Sequence, residues 1–596
     1  MLEPLSPAAS RSVLLLDADQ PSALAITRAL GRHGVSVQVS SSVARPLAAS
    51  SRYATGCLHY PDPLRREAEF IAWLDAHMRD NPVGLVIPVT ERTVVPILRH
   101  RAQLDDRRIA IAPSSALEQV LDKDLTLQLA VSLGIPVPRS MAIDTLDALP
   151  EAAAQIGFPV VVKPSRSVGQ SDGQRVQLSV SYAHNSTELE AQVRHALRYG
   201  AVILQEYFRG DGVGIELIAD SGTVRYAFQH RRLHEVPLTG GGSSLRISEA
   251  IVPALRAAAE QLMQALGWHG VAMVEFKYAP ASGEFRLMEI NGRFWGSLPL
   301  AVAAGADFPV MLHELMTTGR VGDRAPARLG VVCRQLARDI DWLEHVLRRA
   351  APPQLVQLPS MGEVLRDSLL VFSPRHHFDV QSLSDPKPGV VDLWRIGERQ
   401  WGRVAAAWRQ RRQLDRERQA GHPGGTGRRV LAHATTVLFI CYGNINRSAL
   451  AHVYAQRQYG TRFRFASAGF HVPDGRPVDP VMVDVAGSQG IDMTMCRSRT
   501  VDAVMVSDAD VIFVMEIAHL ERLRRGFPAA HNKVFLLGAS AATHRHEVEV
   551  TDPYGQARSA YAHAFRRITR AVDDWFGGVD STTAPQPSAA HARTDS

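Results

Sequence analysis

Residues 436 to 448 read Thr-Val-Leu-Phe-Ile-Cys-Tyr-Gly-Asn-Ile-Asn-Arg-Ser. The β-branched and apolar run at its start predicts a buried strand. The strand breaks into a loop that opens with Cys441 and closes with Arg447 and Ser448. A strand-to-helix turn of this kind aims successive backbone N–H groups inward, forming an anion nest with a helix N-terminus behind it. That field lowers a thiol below its free pKa of about 8.5, so Cys441 becomes a thiolate. Arg447 can grip two phosphoryl oxygens at once, which lysine cannot. Ser448 can hydrogen-bond the thiolate or steady it as a leaving group. Gly443 and Asn444 tolerate the positive φ of a tight loop. Four cysteines and 66 Lys plus Arg in 596 residues give roughly 0.4 chance matches to Cys-x5-basic, and requiring Gly443 leaves roughly 0.03. A thiolate attacking a phosphate monoester also needs an acid for the leaving oxygen. Asp552 in Thr-Asp-Pro-Tyr-Gly is the candidate, with Pro553 stiffening its loop and Tyr554 walling the cleft; read alone, the segment is a surface turn.

Around this loop, 596 residues are too many for one core and predict roughly four structural units. The 45% hydrophobic and 21% charged fractions are those of a globular protein. Net charge +6 without a basic, aromatic-laced stripe argues against a nucleic-acid partner. Cys57, Cys333, Cys441 and Cys496 are too scattered for a disulfide framework or a zinc site. No stretch approaches the ~20 apolar residues of a membrane span. The start of the chain lacks the charged-then-apolar plan of a signal peptide. The expectation is a cytoplasmic protein with no membrane partner.

Upstream, residues 12 to 40 read strand, helix, strand, and Leu85-Val-Ile-Pro-Val and Ile109-Ala-Ile-Ala-Pro continue the alternation, predicting a parallel sheet covered by helices. Lys163 ends an apolar strand and precedes a loop rich in glycine and serine, 165 to 173, suited to a triphosphate. Glu275 lies on one strand; Glu289 and Asn291, at i and i+2, face one way on the next. A hairpin would join them as hard oxygen ligands for Mg²⁺ carrying a nucleotide, with Arg293 neutralising phosphate. Residues 230 to 244, with three successive glycines, read either as a loop or as a substrate lid in which Arg231 or Arg232 grips a carboxylate. The stretch 401 to 420, with six arginines, reads as a solvated helix. His544 and His546 read as surface residues rather than metal ligands.

Two resemblances gather these residues. Residues 434 to 577 resemble low-molecular-weight protein tyrosine phosphatases, through the Cys441 loop, Ser467-Ala-Gly469, Gly490-Ile-Asp492, Arg497-Ser-Arg499, Val514-Met515 and Asp552-Pro-Tyr-Gly555. The resemblance implies a cysteinyl-phosphate on Cys441, phosphate binding by Arg447, acid and then base catalysis by Asp552, and a loop held in shape by Asn444 and Ser467. Ile445 resembles the tyrosine-directed members, and Tyr442 offers an aromatic wall. Asn446 stands where the family often has a second, protective cysteine, and Cys496 where it often has a histidine. Residues 10 to about 315 resemble ATP-grasp enzymes near the carbamoyl-phosphate-synthase-like group, through Lys123 in Asp-Lys-Asp, Gly134-Ile-Pro-Val-Pro, Gly157-Phe-Pro-Val-Val-Val-Lys-Pro, Leu204-Gln-Glu-Tyr-Phe-Arg-Gly and Met288-Glu-Ile-Asn-Gly-Arg. That resemblance implies ATP and Mg²⁺ as cofactors. It puts Lys123 and Lys163 on phosphates, Gln205, Glu206 and Tyr207 at the adenine, Glu216 near the ribose, and the metal on Glu275, Glu289 and Asn291. Asn-Gly replaces the commoner Asn-Pro before Arg293.

The expected fold is α/β throughout. A Rossmann-like pre-ATP-grasp domain (10–112) precedes an α+β ATP-grasp domain (113–315), a mixed and helical extension (316–420), a linker (421–433), a separate parallel-sheet phosphatase domain (434–577) and a disordered tail (578–596). The expected function is bifunctional: hydrolysis of a phosphotyrosine protein or small aryl phosphate, and ATP-driven acyl-phosphate formation joining a small carboxylate to a nucleophile. The alternatives are a phosphatase with a nucleotide-binding, non-catalytic ATP-grasp module, and an interaction protein with both sites idle.

Overall fold

The computed structural model describes residues 12–105, 108–164, 168–171, 174–177, 180–197, 200–350, 355–471 and 474–577. The expected disordered tail and most of the loop 165–173 lie outside the described residues. The chain divides into two compact units, residues 1–398 and 399–596, and the division falls inside the helix Pro386–Gly421.

The first unit opens with parallel strands β1 (Ser12–Leu15), β2 (Ser36–Ser41), β3 (Ala54–His59) and β4 (Leu85–Ile87), in spatial order β3-β2-β1-β4. Val13 and Leu15 enter one apolar cluster and Leu14 another. Burial on both faces is why the strand reads as an unbroken apolar run. Next come β5 (Ser140–Ile143), β6 (Val160–Pro164), β7 (Val168–Ser171), β8 (Gln174–Gln177), β9 (Ser181–Ala183) and β10 (Val202–Glu206). Strands β7 and β8 pair as a hairpin, and the others form an antiparallel sheet, β5-β10-β6-β9, with its own core of Ile143, Val160, Val162, Val202 and Leu204.

The largest sheet comprises β11 (Asp211–Asp220), β12 (Thr223–Val236), β13 (Gly242–Glu249), β14 (Gly270–Ala279), β15 (Glu284–Asn291), β16 (Val332–Arg334) and β17 (His376–Phe378). Its order is β15-β14-β11-β12-β13-β16-β17, antiparallel except for the last pair. The expected boundary at 315 therefore does not end the domain, because β16 and β17 continue its sheet. The segment 230–244, expected as a loop or lid, is mostly strand, with only residues 237–241 turning between β12 and β13. The glycines serve close approach: a Cβ on Gly241 would lie 2.4 Å from the Val236 carbonyl oxygen.

The second unit holds β18 (Thr436–Cys441), β19 (Arg464–Gly469), β20 (Val511–Val514) and β21 (Val534–Leu536), all parallel, in order β19-β18-β20-β21. The next two strands in sequence flank β18 on opposite sides, so a crevice opens beyond its carboxyl end. Cys441 is the last residue of β18. Asp510 anchors the start of this strand, accepting from the backbone N–H groups of Thr435 and Thr436 at 2.8 and 2.9 Å. Phe439, Phe513, Trp575 and Phe576 form the aromatic centre of the core, with the Phe513 and Trp575 rings 4.8 Å apart. The expected linker 421–433 is part of this unit and contains the helix Thr426–Ala432. Its glycine at 427 is there for space: a Cβ would lie 2.7 Å from the Trp575 ring. Among the described residues no single helix is long and apolar enough to cross a membrane.

Candidate active sites

In the second unit, the loop after β18 wraps the Cys441 sulfur. The Asn444 backbone N–H points at Sγ from 3.2 Å, and the Ser448 hydroxyl lies 3.0 Å from it. Asn444 has φ +51°, a left-handed conformation that asparagine accepts at low cost. Its side-chain amide donates to Ser448 Oγ at 2.9 Å, and its side-chain oxygen accepts from the Arg499 backbone N–H at 2.9 Å. Gly443 has no positive φ; it gives room, since a Cβ there would lie 3.3 Å from Ile445 Cγ1. Arg476 steadies the loop by donating to the Gly443 carbonyl at 2.8 Å.

Arg447 begins the helix Arg447–Tyr459 and is almost wholly buried. It donates to Asp552 Oδ2 at 2.6 Å and to the Val550 carbonyl at 2.8 Å, and it pairs with Glu516. The two carboxylates therefore hold the guanidinium at the crevice where phosphate oxygens would lie. The Asp552 backbone carbonyl accepts from Gln556 Nε2 at 2.7 Å, which fixes its loop. Tyr442 and Tyr554 stand half-exposed at 49% and 53%, available as walls for an aromatic ring.

In the first unit, a cavity of about 680 Å³ lies between the β5-β10-β6-β9 sheet and the seven-stranded sheet. Lys123, Lys163, Gln205, Glu206, Tyr207, Glu275 and Glu289 line it. Antiparallel pairing sets Glu275 opposite Glu289 and Met273 opposite Asn291, and Asn291 Nδ2 donates to Glu275 Oε1 at 3.0 Å. The carboxylates are neutralised by cations: Lys123 Nζ sits 2.8 Å from Glu289, and Arg232 sits 2.5 Å from Glu275. Burial works against the Glu289 charge, but Lys123 outweighs it and holds the carboxyl below its ordinary value. Burial, and then the charge of Lys123, pushes Lys163 down to about 8. Lys163 donates to Gln205, whose amide donates in turn to Ser140 Oγ at 2.9 Å. Glu206 is held by Arg139 at 2.8 Å, and the Tyr207 hydroxyl donates to the Leu355 carbonyl at 2.9 Å.

Residues 436–584 match the family model for low molecular weight phosphotyrosine protein phosphatase. The probable low molecular weight protein-tyrosine-phosphatase EpsP of Ralstonia nicotianae is 34% identical over 140 residues, covering 24% of this chain and 92% of that protein. Through its second unit the chain belongs to the low molecular weight protein-tyrosine-phosphatase family. Wzb of Escherichia coli K12, another member by name, is 30% identical over 139 residues, covering 23% of this chain and 91% of that protein. Residues 198–338 match the family model described as ATP-grasp in the biosynthetic pathway with Ter operon. The mitochondrial arginine-specific large chain of carbamoyl phosphate synthase from Schizosaccharomyces pombe is 26% identical over 242 residues, spanning 38% of this chain but 20% of that protein. The first unit thus carries an ATP-grasp domain, and the chain is an enzyme with a hydrolase unit.

In the phosphatase unit the structure brings Cys441, Gly443, Asn444, Arg447, Ser448 and Asp552 together. Ser467 is not among them. It faces Phe439 across the sheet and contacts His452 at 3.3 Å, while Arg499 and Ser448 take the Asn444 amide. Gly469 fills the role at the loop instead, since a Cβ there would lie 2.9 Å from the Asn444 nitrogen. Glu516 and His519 were not legible as site residues. His519 is buried, its imidazole is pushed down to about 4 by burial first, and the nearby Arg447 adds to this. The signal for Glu516 was its place directly after Val514-Met515, at the same sheet edge as Cys441.

Two residues expected at the nucleotide lie elsewhere. Glu216 is fully buried, 2.7 Å from the Ser297 hydroxyl and 2.9 Å from His230 Nδ1, and does not line the cavity. Arg293 pairs with Glu91 at 3.0 Å and borders a neighbouring cavity of about 230 Å³. Gly292, before it, has no room for the commoner proline, since a Cβ would lie 2.6 Å from the Trp268 ring. The lid arginines separate by strand alternation: Arg231 binds Glu249 at 2.8 Å, and only Arg232 reaches the cavity.

Proposed function

We propose that the chain is a bifunctional enzyme: a protein-tyrosine-phosphatase joined to an ATP- and Mg²⁺-dependent ligase. The phosphatase reading rests on one observation above all, the Cys441 sulfur enclosed by the Asn444 N–H and Ser448 hydroxyl beside an Arg447 bridged to Asp552. The Cys441 thiolate attacks phosphorus and the bond to the aryl oxygen breaks. Asp552, in its acid form, gives the leaving oxygen its proton. Arg447 turns from the carboxylates to two phosphoryl oxygens. Asp552, now a carboxylate, takes a proton from water as that water attacks phosphorus, and Cys441 leaves as thiolate with Ser448 donating to it. Tyr442 and Tyr554 support an aryl phosphate, on a protein or a small molecule, as the substrate.

In the first unit, the donor set Glu275, Glu289 and Asn291 suits Mg²⁺, which takes one or two carboxylates and completes its shell with phosphates and water. The ion, when bound, neutralises phosphate charge. Lys123 and Lys163 would hold the phosphates, and Gln205, Glu206 and Tyr207 the adenine. In this reading a carboxylate oxygen attacks the γ-phosphorus, ADP leaves, and a nucleophile displaces phosphate from the acyl phosphate.

Aryl phosphate hydrolysis by the full chain should vanish in Cys441→Ser, and kcat should fall about 10²- to 10⁴-fold in Asp552→Asn. Hydrolysis unchanged by Cys441→Ser would sink the mechanism. In parallel, ADP release with some carboxylate and amine supports the ligase. Nucleotide binding without turnover across a broad panel would make the first unit a regulatory module.

A further inference from the structure

The stretch 401–420, expected as a solvated helix, is the second half of the helix Pro386–Gly421. At about 3.6 residues per turn, its Val390, Leu393, Trp394, Trp401, Val404 and Trp408 fall within an arc of about 100°. All six side chains are exposed, Trp394, Trp401 and Trp408 at 76%, 74% and 53%. Other sides of the helix do the packing: Val391 lies against the first unit's core and Leu414 against the second's. Single exposed apolar residues are ordinary on a protein surface, but a continuous row of this length marks an interaction site.

Charge decides what covers the row. Residues 390 to 412 hold six arginines and two acids, a net charge of +4, whereas the whole chain carries only +6. Arg395, Arg399 and Arg403 stand on the side opposite the tryptophans. Lys387 at one end of the row, and Arg411 and Arg412 at the other, share its face, and no acid lies between them there. Asp415, the next acid along that face, is taken by Arg545 at 2.5 Å. Two copies of the chain paired through this row would set these cations against one another, whether the helices ran parallel or antiparallel. An anionic surface would meet all of them at once.

We propose that this helix lies along the surface of an anionic phospholipid bilayer, with the tryptophan row at the depth of the headgroups and Lys387, Arg411 and Arg412 on lipid phosphates. Tryptophan suits that depth, because its ring is apolar while its N–H still reaches water. The Arg412 guanidinium already lies over the Trp408 ring, 3.4 Å from its centre, so cation and aromatic enter the interface together. The expectation of no membrane partner rested on the lack of a spanning stretch, and a helix lying in the interface needs none. The surface is independent of the phosphatase and ligase readings: it concerns where the chain is held and not what its sites do.

The test is co-sedimentation of the full-length chain with vesicles of phosphatidylcholine alone and of phosphatidylcholine mixed with phosphatidylglycerol. The wild type should sediment with the mixed vesicles only, and less as salt is raised. Affinity should fall at least about tenfold when Trp394→Ala, Trp401→Ala and Trp408→Ala are combined, and also, with a weaker salt dependence, in the pair Arg411→Gln and Arg412→Gln. Because these side chains are exposed, both variants should keep the wild-type thermal midpoint. Brominated lipid chains in the mixed vesicles should quench the wild type's tryptophan emission, a readout that needs no substitution. No binding to the mixed vesicles, binding without quenching, or binding untouched by the triple tryptophan variant overturns the proposal. So does a dimer, seen by sedimentation velocity without lipid, that the triple variant dissolves, because a second copy would then cover the row.

Discussion

At the scale of single residues, the contrast between Arg447 and Lys163 is informative. Arg447 is held by two carboxylates, Glu516 and Asp552, that a phosphate must replace. Lys163 sits in a cavity where burial pushes it to about 8, so its charge is conditional. Below that pH it is an ammonium; above, it is an amine until a phosphate draws a proton back. Nucleotide binding should therefore take up a proton as pH rises past 8 and weaken as it does so. Calorimetry in buffers of different ionisation heat checks this, and Lys163→Arg should abolish the uptake. Cys441, Arg447 and Ser448 were legible because they lie within eight consecutive residues, where local spacing fixes geometry. Ser467 and Glu216 were not, because strand register and sheet face decide where such side chains point, and both are set by distant partners.

Elements carry the next layer. Strand β18 ends at the nucleophile, and Asp510 pins its beginning through the Thr435 and Thr436 backbone N–H groups and hydroxyls. Burial opposes the Asp510 charge, but these hydrogen bonds outweigh it and bring the carboxyl down to about 2. A depressed carboxyl stabilises the fold fully above its ordinary value of 3.8 and loses that contribution as pH falls through about 2. Asp510→Asn should cost about 1–2 kcal/mol at neutral pH and flatten the acid side of the stability profile, measured by urea unfolding at a series of pH values. The glycine run at 240–242 shows why elements can be misread from sequence. Glycine signals flexibility and close packing alike, and here the neighbouring Val236 carbonyl and Arg338 choose packing.

For the whole molecule, the two units have separate cores: one apolar cluster is confined to the second unit and the others to the first. Heating should give two transitions. Mg-nucleotide should raise one and orthovanadate, a phosphate mimic, the other, each by about 2.7 kcal/mol at a hundredfold excess over Kd. Scanning calorimetry checks this, and a single transition moved by both ligands would contradict it. The α/β class and both site motifs were readable from the chain because they depend on local apolar runs. The borders at 315 and 421 were not, since β16 and β17 join a sheet begun far upstream, at Asp211, and Gly427 packs on Trp575.

One detail of the phosphate loop reaches beyond catalysis. Asn446 is buried with both amide atoms unpartnered, where a sulfur would have offered redox chemistry, and all four cysteines are free. Peroxide that converts Cys441 to a sulfenic acid then finds no neighbouring thiol in the loop to trap it as a disulfide, and further oxidation to the sulfinic acid is irreversible. Oxidative stress would act on this enzyme as a blown fuse, with activity restored by new synthesis, where a relative with the second cysteine would have a resettable breaker.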